Sequence, residues 1–266
     1  MKRVERAARE AKGQLFIPYI VAGDPTPEAT VKLVSMLETS GAHIVELGVP
    51  YSDPLADGPT IQNAAKRALD GGMSLNHVFS LVEDIRARGV HIPIILFCYI
   101  NPLLKYGIKD AIKKVKEVGV DGWLIPDLPF EENEEIKRTC QEHETELISL
   151  VAPTSKHRVQ KIAEQAEGFL YCVSSLGVTG VRESLDPNLT EFVTTVERYS
   201  SVPMAVGFGI STREHVKTIH KQGYGAVVGS KIVSEINERN EALCSSQEQD
   251  EAIEEIKTIV QSLVSS

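Results

Sequence analysis

His43-Ile44-Val45-Glu46-Leu47-Gly48-Val49 is a run of β-branched and apolar residues that does not alternate with polar ones. A strand with one face in water alternates; a strand apolar on both sides belongs to a parallel sheet covered on both faces. Seven more runs read the same way, at residues 15–22, 92–100, 122–126, 146–151, 169–174, 202–207 and 225–229. Amphipathic segments separate them, which is the pattern of βα units around a parallel sheet. Eight such units in 266 residues predict a single domain, residues 1–266, folded as a (β/α)8 TIM barrel. A doubly wound open sheet is the alternative.

Moving outward from that strand, the segment before it reads as a helix. Thr26 is placed to cap it, Pro27 suits its first turn, Ala29, Leu33, Met36 and Leu37 form one face, and Gly41 ends it. Ser74 ahead of Leu75, Val78, Phe79 and Val82 repeats the logic with Gly89 as the stop, as do Ile108, Ala111, Ile112, Val115 and Val118 with Gly119. Ile253, Ile256, Val260 and Leu263 predict a final helix, and the charge-rich stretch 238–250 before it reads as a solvated connection. Two connections, 50–59 and 175–187, are longer than a barrel needs. Both follow predicted strands and so belong to the C-terminal rim, where barrel active sites are built.

The charge is −9 with a pI near 5.4, which opposes nucleic acid and anionic membrane as partners. No apolar stretch is long enough to span a bilayer, and Met1-Lys2-Arg3-Val4-Glu5-Arg6 is not followed by the apolar core of a signal peptide. Cys98, Cys140, Cys172 and Cys244 form no CxxC pair. A soluble protein of the reducing cytoplasm is expected.

Glu46 is the anomaly in its run, because a carboxylate buried without a partner is costly. It is either satisfied by an ion pair or backbone donors, or it is an acid/base whose ionisation burial suppresses. Asp57 follows in Tyr51-Ser52-Asp53-Pro54-Leu55-Ala56-Asp57-Gly58-Pro59, a segment dense in turn formers, where it could equally cap the next helix. A carboxylate on the loop after the Glu46 strand can also face the same cavity, and two acids in unlike environments separate acid from base roles. Glycines cluster after the last three strands: Gly177 and Gly180, then Gly207-Phe208-Gly209-Ile210-Ser211, then Gly229-Ser230. They serve either as turn residues or as a backbone cradle for phosphate at helix starts. The seven histidines show no HExxH and no clustering with cysteine, so no metal is expected. No predicted strand carries an interior lysine for Schiff-base chemistry.

The stretch Glu46-Leu47-Gly48-Val49-Pro50-Tyr51-Ser52-Asp53-Pro54-Leu55-Ala56-Asp57-Gly58-Pro59-Thr60-Ile61-Gln62 resembles the signature of tryptophan synthase α subunits. Pro18-Tyr19, Ala22-Gly23-Asp24-Pro25, Pro126-Asp127-Leu128-Pro129, Gly177-Val178-Thr179-Gly180 and Gly207-Phe208-Gly209-Ile210-Ser211 extend the likeness across the barrel. The resemblance implies a lyase of tryptophan biosynthesis that splits indole-3-glycerol phosphate into indole and glyceraldehyde 3-phosphate. It implies Glu46 as acid/base at indole C3 and the adjacent glycerol hydroxyl, and Asp57 as the group holding the indole N–H. It further implies phosphate contacts at Thr179, Gly180, Phe208, Gly209, Gly229 and Ser230, with Tyr171 near the glycerol, and an indole pocket of Tyr19, Phe97, Leu124 and Val227. Residues 175–186 match the family's lid. No cofactor is implied for this chain; pyridoxal phosphate belongs to a partner β subunit in an α2β2 complex, whose docking surface would include residues 53–57 and Asn101-Pro102-Leu103-Leu104-Lys105. Two other functions fit a phosphate-gripping barrel: a sugar-phosphate isomerase, and a regulatory subunit that binds a phosphorylated ligand without turnover.

Overall fold

The computed structural model describes residues 1–155, 158–173, 189–207 and 209–265. In chain order its elements begin with α1 (Arg3–Glu10), β1 (Phe16–Val21), α2 (Pro27–Thr39), β2 (Val45–Gly48), α3 (Pro59–Asp70) and α4 (Leu75–Ala87). There follow β3 (Ile94–Phe97), α5 (Ile100–Tyr106), α6 (Ile108–Val118), β4 (Gly122–Leu124), α7 (Glu134–Glu142) and β5 (Glu146–Val151). Next come α8 (Val159–Glu164), β6 (Leu170–Val173), α9 (Leu189–Glu197), β7 (Met204–Gly207) and α10 (Arg213–Lys221). The chain then passes through β8 (Gly225–Val228), α11 (Ser230–Glu238), α12 (Asn240–Cys244) and α13 (Gln249–Val264).

The strands lie in sequence order and are all parallel, and β8 pairs with β1, so the sheet closes. That pairing excludes the open doubly wound sheet. Every expected run forms a strand, most of them shorter than predicted. The apolar stretch 92–100 keeps only Ile94–Phe97 as β3, because Ile100 begins α5 and its N–H is taken by Asp127 Oδ1 at 2.9 Å.

Residues paired in parallel register share a face of the sheet. One register row runs Tyr19, Glu46, Ile95, Gly122, Glu146 from β1 to β5. A second, Leu47, Leu96, Trp123, Leu147, lies on the opposite face, beneath the helices. Strands tilt in a barrel, so a row beginning near the mouth descends toward the floor as it goes round. Glu46 therefore points inward near the mouth, whereas Glu146, the first residue of β5, points inward at the bottom.

The helices form where sequence punctuation placed them. Thr26 Oγ1 accepts the Ala29 N–H at 3.1 Å and Pro27 takes the first turn of α2. Gly119 ends α6 in the left-handed region, at φ 88°. Ser74 does not cap α4 through its side chain; its hydroxyl instead meets His77 Nδ1 at 3.0 Å. The solvated connection expected at 238–250 is corrected by the structure. It contains α12, whose Leu243 is fully buried, and Gln249 Nε2 donates to the Leu243 carbonyl at 2.7 Å. A short apolar stretch, Ala242-Leu243-Cys244, inside a polar segment supplies the anchor, and the average composition hides it. The loop after β1 is tied to α3 by buried Asp24, held by Arg67 Nε at 2.8 Å and Nη2 at 3.0 Å. No helix among the described residues is long and apolar enough to cross a membrane.

Candidate active site

Glu46 is the second residue of β2 and is buried at 2% exposure. Its Oε2 has no hydrogen-bond partner among the described residues. Burial, and then the charge of Asp57, push its carboxyl up to about 8. Neither cause is a cation, so the ion-pair alternative is not the arrangement found.

Asp57 reaches the same space from the loop between β2 and α3. It does not cap α3, whose N-cap is Gly58 with Pro59 in the first turn. Its backbone closes a turn, Asp57 N–H to Pro54 O at 3.1 Å, and its carbonyl accepts from Gln62 Nε2 at 2.7 Å. That leaves the side chain free to turn inward, where Oδ2 accepts from Tyr99 Oη at 2.9 Å. Burial raises the Asp57 carboxyl to about 6, and the Tyr99 hydrogen bond opposes the rise. Near neutral pH the two acids differ in state: Glu46 mostly protonated, Asp57 mostly ionised.

The cavity holding both is lined by Tyr19, Ile61, Phe97, Tyr171, Gly209, Ile210, Val227, Gly229 and Ser230 as well. Tyr19 and Phe97 meet edge to face with ring centroids 5.6 Å apart, forming an aromatic wall suited to a flat apolar ring. The phenols of Tyr19 and Tyr171 are raised well above their ordinary value, first by burial, so both stay neutral donors. Gly207, in β7, has a reason other than phosphate: a Cβ there would stand 2.0 Å from Tyr171 Oη. In the same cavity Gly209 has φ +84°, a conformation that favours glycine, and Gly229 caps α11 without a side-chain acceptor. The first N–H groups of α11 thus face no capping side chain of their own, next to Ser230. Backbone donors at a helix start hold an anion without a cation, and none of the described cavity residues is Lys or Arg.

Nine of the residues expected from sequence meet here: Glu46, Asp57, Tyr19, Phe97, Tyr171, Gly209, Val227, Gly229 and Ser230. Leu124 shares the inward face through its pairing with Phe97 but is fully buried and does not line the cavity. Thr179, Gly180, Phe208 and the expected lid at 175–186 lie outside the described residues. Sequence reading missed Ile61 and Ile210 as cavity walls, and Tyr99 altogether. Tyr99 ends an apolar run, and no local pattern ties it to a carboxylate 42 positions earlier.

A larger hollow lies beside it, lined by Ile125, Asp127, Leu128, Phe130, Val151, Arg158 and Val173 among others. Its ionisable groups are already engaged, Asp127 with the Ile100 N–H and Arg158 with Glu131 at 3.2 Å. The convergent acids belong to the smaller cavity. Among the described residues no cluster of three or more His, Cys, Asp or Glu could hold a metal. On the rim, Leu55 is 85% and Leu104 58% exposed, whereas Leu103, expected at the same docking surface, is buried in the core. Asn101 Nδ2 donates to Tyr51 Oη at 2.8 Å, joining the Leu55 loop to the start of α5.

A model of the tryptophan synthase alpha chain family matches residues 6–263. The tryptophan synthase alpha chain of Halalkalibacterium halodurans is 53% identical over 266 residues, covering 100% of both chains. That of Bacillus subtilis is 49% identical over 244 residues, 92% of this chain and 91% of the other. Among solved structures, tryptophan synthase subunit alpha from Legionella pneumophila superposes with a TM-score of 0.87 at 33% identity, covering 99% of this chain and 97% of that one. A chain from the Pyrococcus furiosus tryptophan synthase a2b2 complex gives 0.85 at 35% identity, covering 96% and 99%.

Proposed function

As a member of the tryptophan synthase alpha chain family this chain is a carbon–carbon lyase acting on indole-3-glycerol phosphate, and we propose that Glu46 and Asp57 carry its chemistry. The observation that supports this is the pair itself, two buried acids on one cavity, with Glu46 pushed to about 8 and Asp57 to about 6. The C–C bond joining the glycerol chain to the indole ring breaks once ring carbon C3 has gained a proton and the adjacent hydroxyl has lost one. Glu46, protonated near neutrality, delivers the first and accepts the second. Asp57, ionised, accepts a hydrogen bond from the indole N–H and offsets the positive charge that develops on the ring. Bond cleavage leaves the hydroxyl carbon as an aldehyde and the ring as indole. The aromatic wall of Tyr19 and Phe97 takes the indole, Tyr171 the glycerol hydroxyls, and Gly209, Gly229 and Ser230 the phosphate.

Chains of this family need no cofactor of their own. The partner is a β subunit carrying pyridoxal phosphate, in an α2β2 assembly that docks where Leu55 and Leu104 stand exposed beside the cavity. Such a surface leucine pair is the kind of apolar rim that a partner covers. The cytoplasm suits a chain with four free thiols, three of them buried. Purified chain supplied with indole-3-glycerol phosphate should release indole, faster when the β subunit is added. Glu46→Gln keeps the shape and removes the acid, and should lower the rate by roughly 10²–10⁴-fold. Indole release by Glu46→Gln at the unaltered rate would remove Glu46 from the mechanism.

A further inference from the structure

We propose that Tyr99 is a positioning residue for Asp57, its hydroxyl fixing which carboxylate oxygen is offered to the substrate. The hydroxyl sits between two groups of the β2–α3 loop: it accepts the Ala56 N–H at 3.0 Å and lies 2.9 Å from Asp57 Oδ2. A phenol has one proton. With the Ala56 N–H already pointing at the oxygen, that proton goes to Oδ2, so the contact is a donation to Asp57 and favours the ionised carboxylate. Oδ2 is thereby engaged, and Oδ1 is left for an indole N–H.

Tyr99 is itself held on several sides. Its ring meets Phe97 edge to face at 5.8 Å and lies against Tyr51 at 5.3 Å. The residue after it is anchored through the Ile100 N–H on Asp127. The hydroxyl is therefore anchored by β3 and the loop after β4, with Tyr51 of the gripped loop packing on the ring. The other tethers of this turn-rich loop, Gln62 Nε2 to the Asp57 carbonyl and Asn101 Nδ2 to Tyr51 Oη, do not hold the Asp57 carboxylate itself. The charged and titratable groups facing this pair are Glu46 from β2, Tyr19 from β1, Tyr171 from β6 and Asp127 after β4.

The inference rests on Asp57 acting as an ionised carboxylate in the reaction proposed above. The test compares Tyr99→Phe, Tyr51→Phe and Asp57→Ala with the unaltered chain in pH profiles of kcat/KM for indole-3-glycerol phosphate. Tyr99→Phe removes one oxygen and keeps the ring packing. It should lower kcat about ten-fold or more with little change in KM, and move the acid limb of the profile, near 6 in the unaltered chain, upward by about half a unit or more. Tyr51→Phe, which packs on the same ring and does not touch Asp57, should leave the acid limb in place. Emission of the single, buried Trp123 should report the same unfolding midpoint for the two phenylalanine variants as for the unaltered chain. An unmoved acid limb in Tyr99→Phe, with Asp57→Ala inactive, overturns the Tyr99 inference and leaves the catalytic reading standing. Full activity of Asp57→Ala overturns both.

Discussion

At the scale of single residues the site is built by removing side chains as much as by adding them. Tyr171 can hold its hydroxyl over β7 only because Gly207 has no Cβ, and Gly48 makes the same room for Tyr19, whose Oη would stand 2.2 Å from a Cβ there. An alanine at 207 drives the Tyr171 ring out of the cavity, since its Oη, Cζ and Cε1 would lie 2.0, 2.4 and 2.7 Å from the methyl. Gly207→Ala should therefore lower kcat/KM for indole-3-glycerol phosphate by about tenfold or more, because displacement by an ångström at a reacting centre costs up to roughly two orders of magnitude. Steady-state kinetics with an unchanged kcat/KM would show that the ring position is dispensable. Little of this was legible beforehand: Gly207 reads as one more loop glycine until the strand beside it is known.

At the scale of elements, the strands and most helices follow from local pattern. β2 is apolar on both faces, α2 has Thr26 and Pro27 at its start, and α6 stops at Gly119. The segment before α13 does not follow, because its mean polarity hides Leu243. Packed α12 against a merely solvated connection is a difference that can be measured. Leu243→Ala should lower the stability seen in urea unfolding by about 2–4 kcal/mol, the cost of emptying a buried leucine site, where a solvated residue would cost under about 0.5 kcal/mol. Trp123 fluorescence supplies the signal. The rim shows the same limit: Leu103 and Leu104 are adjacent and chemically identical, yet the turn of α5 sends one into the core and the other to solvent.

At the scale of the whole molecule the barrel holds a further buried acid, Glu146, at the end opposite Glu46. Glu146 is 1% exposed at the floor, its Oε2 lacks a hydrogen-bond partner among the described residues, and a Cβ at Gly168 would stand 3.3 Å from its Cδ. Burial raises it to about 7 against the opposing pull of Lys2, while Glu5, Glu167 and Asp121 push the same way as burial. An acid raised on folding stabilises least when ionised. Its contribution is intact below its unfolded value, about 4.5, falls as pH rises toward about 7, and is lost above that. Glu146→Gln removes this penalty, so it should stabilise the protein at pH 8 by roughly 3 kcal/mol and change little near pH 4.5. Thermal unfolding at the two pH values checks it, and an equal change in Tm at both would mean that folding does not raise Glu146.

Sequence by itself determined the class, a parallel sheet covered on both faces, because eight runs apolar on both sides are each followed by an amphipathic segment. The pairing of β8 with β1 decided that the sheet closes. Sequence also singled out Glu46, because a carboxylate amid Val45 and Leu47 violates the burial rule its neighbours obey. Only the tertiary structure decided where the Asp57 side chain points. Its local sequence is equally good for a turn, a cap or a catalytic group, and all three readings are local. What turns the carboxylate into the cavity is Tyr99, two residues past the end of β3 and 2.9 Å from Oδ2, together with the burial that the closed wall imposes. Register decided the rest: a single row around the barrel puts Glu46 at the mouth and Glu146 at the floor, two similar acids in similar runs whose difference lies in the tilt of the strands.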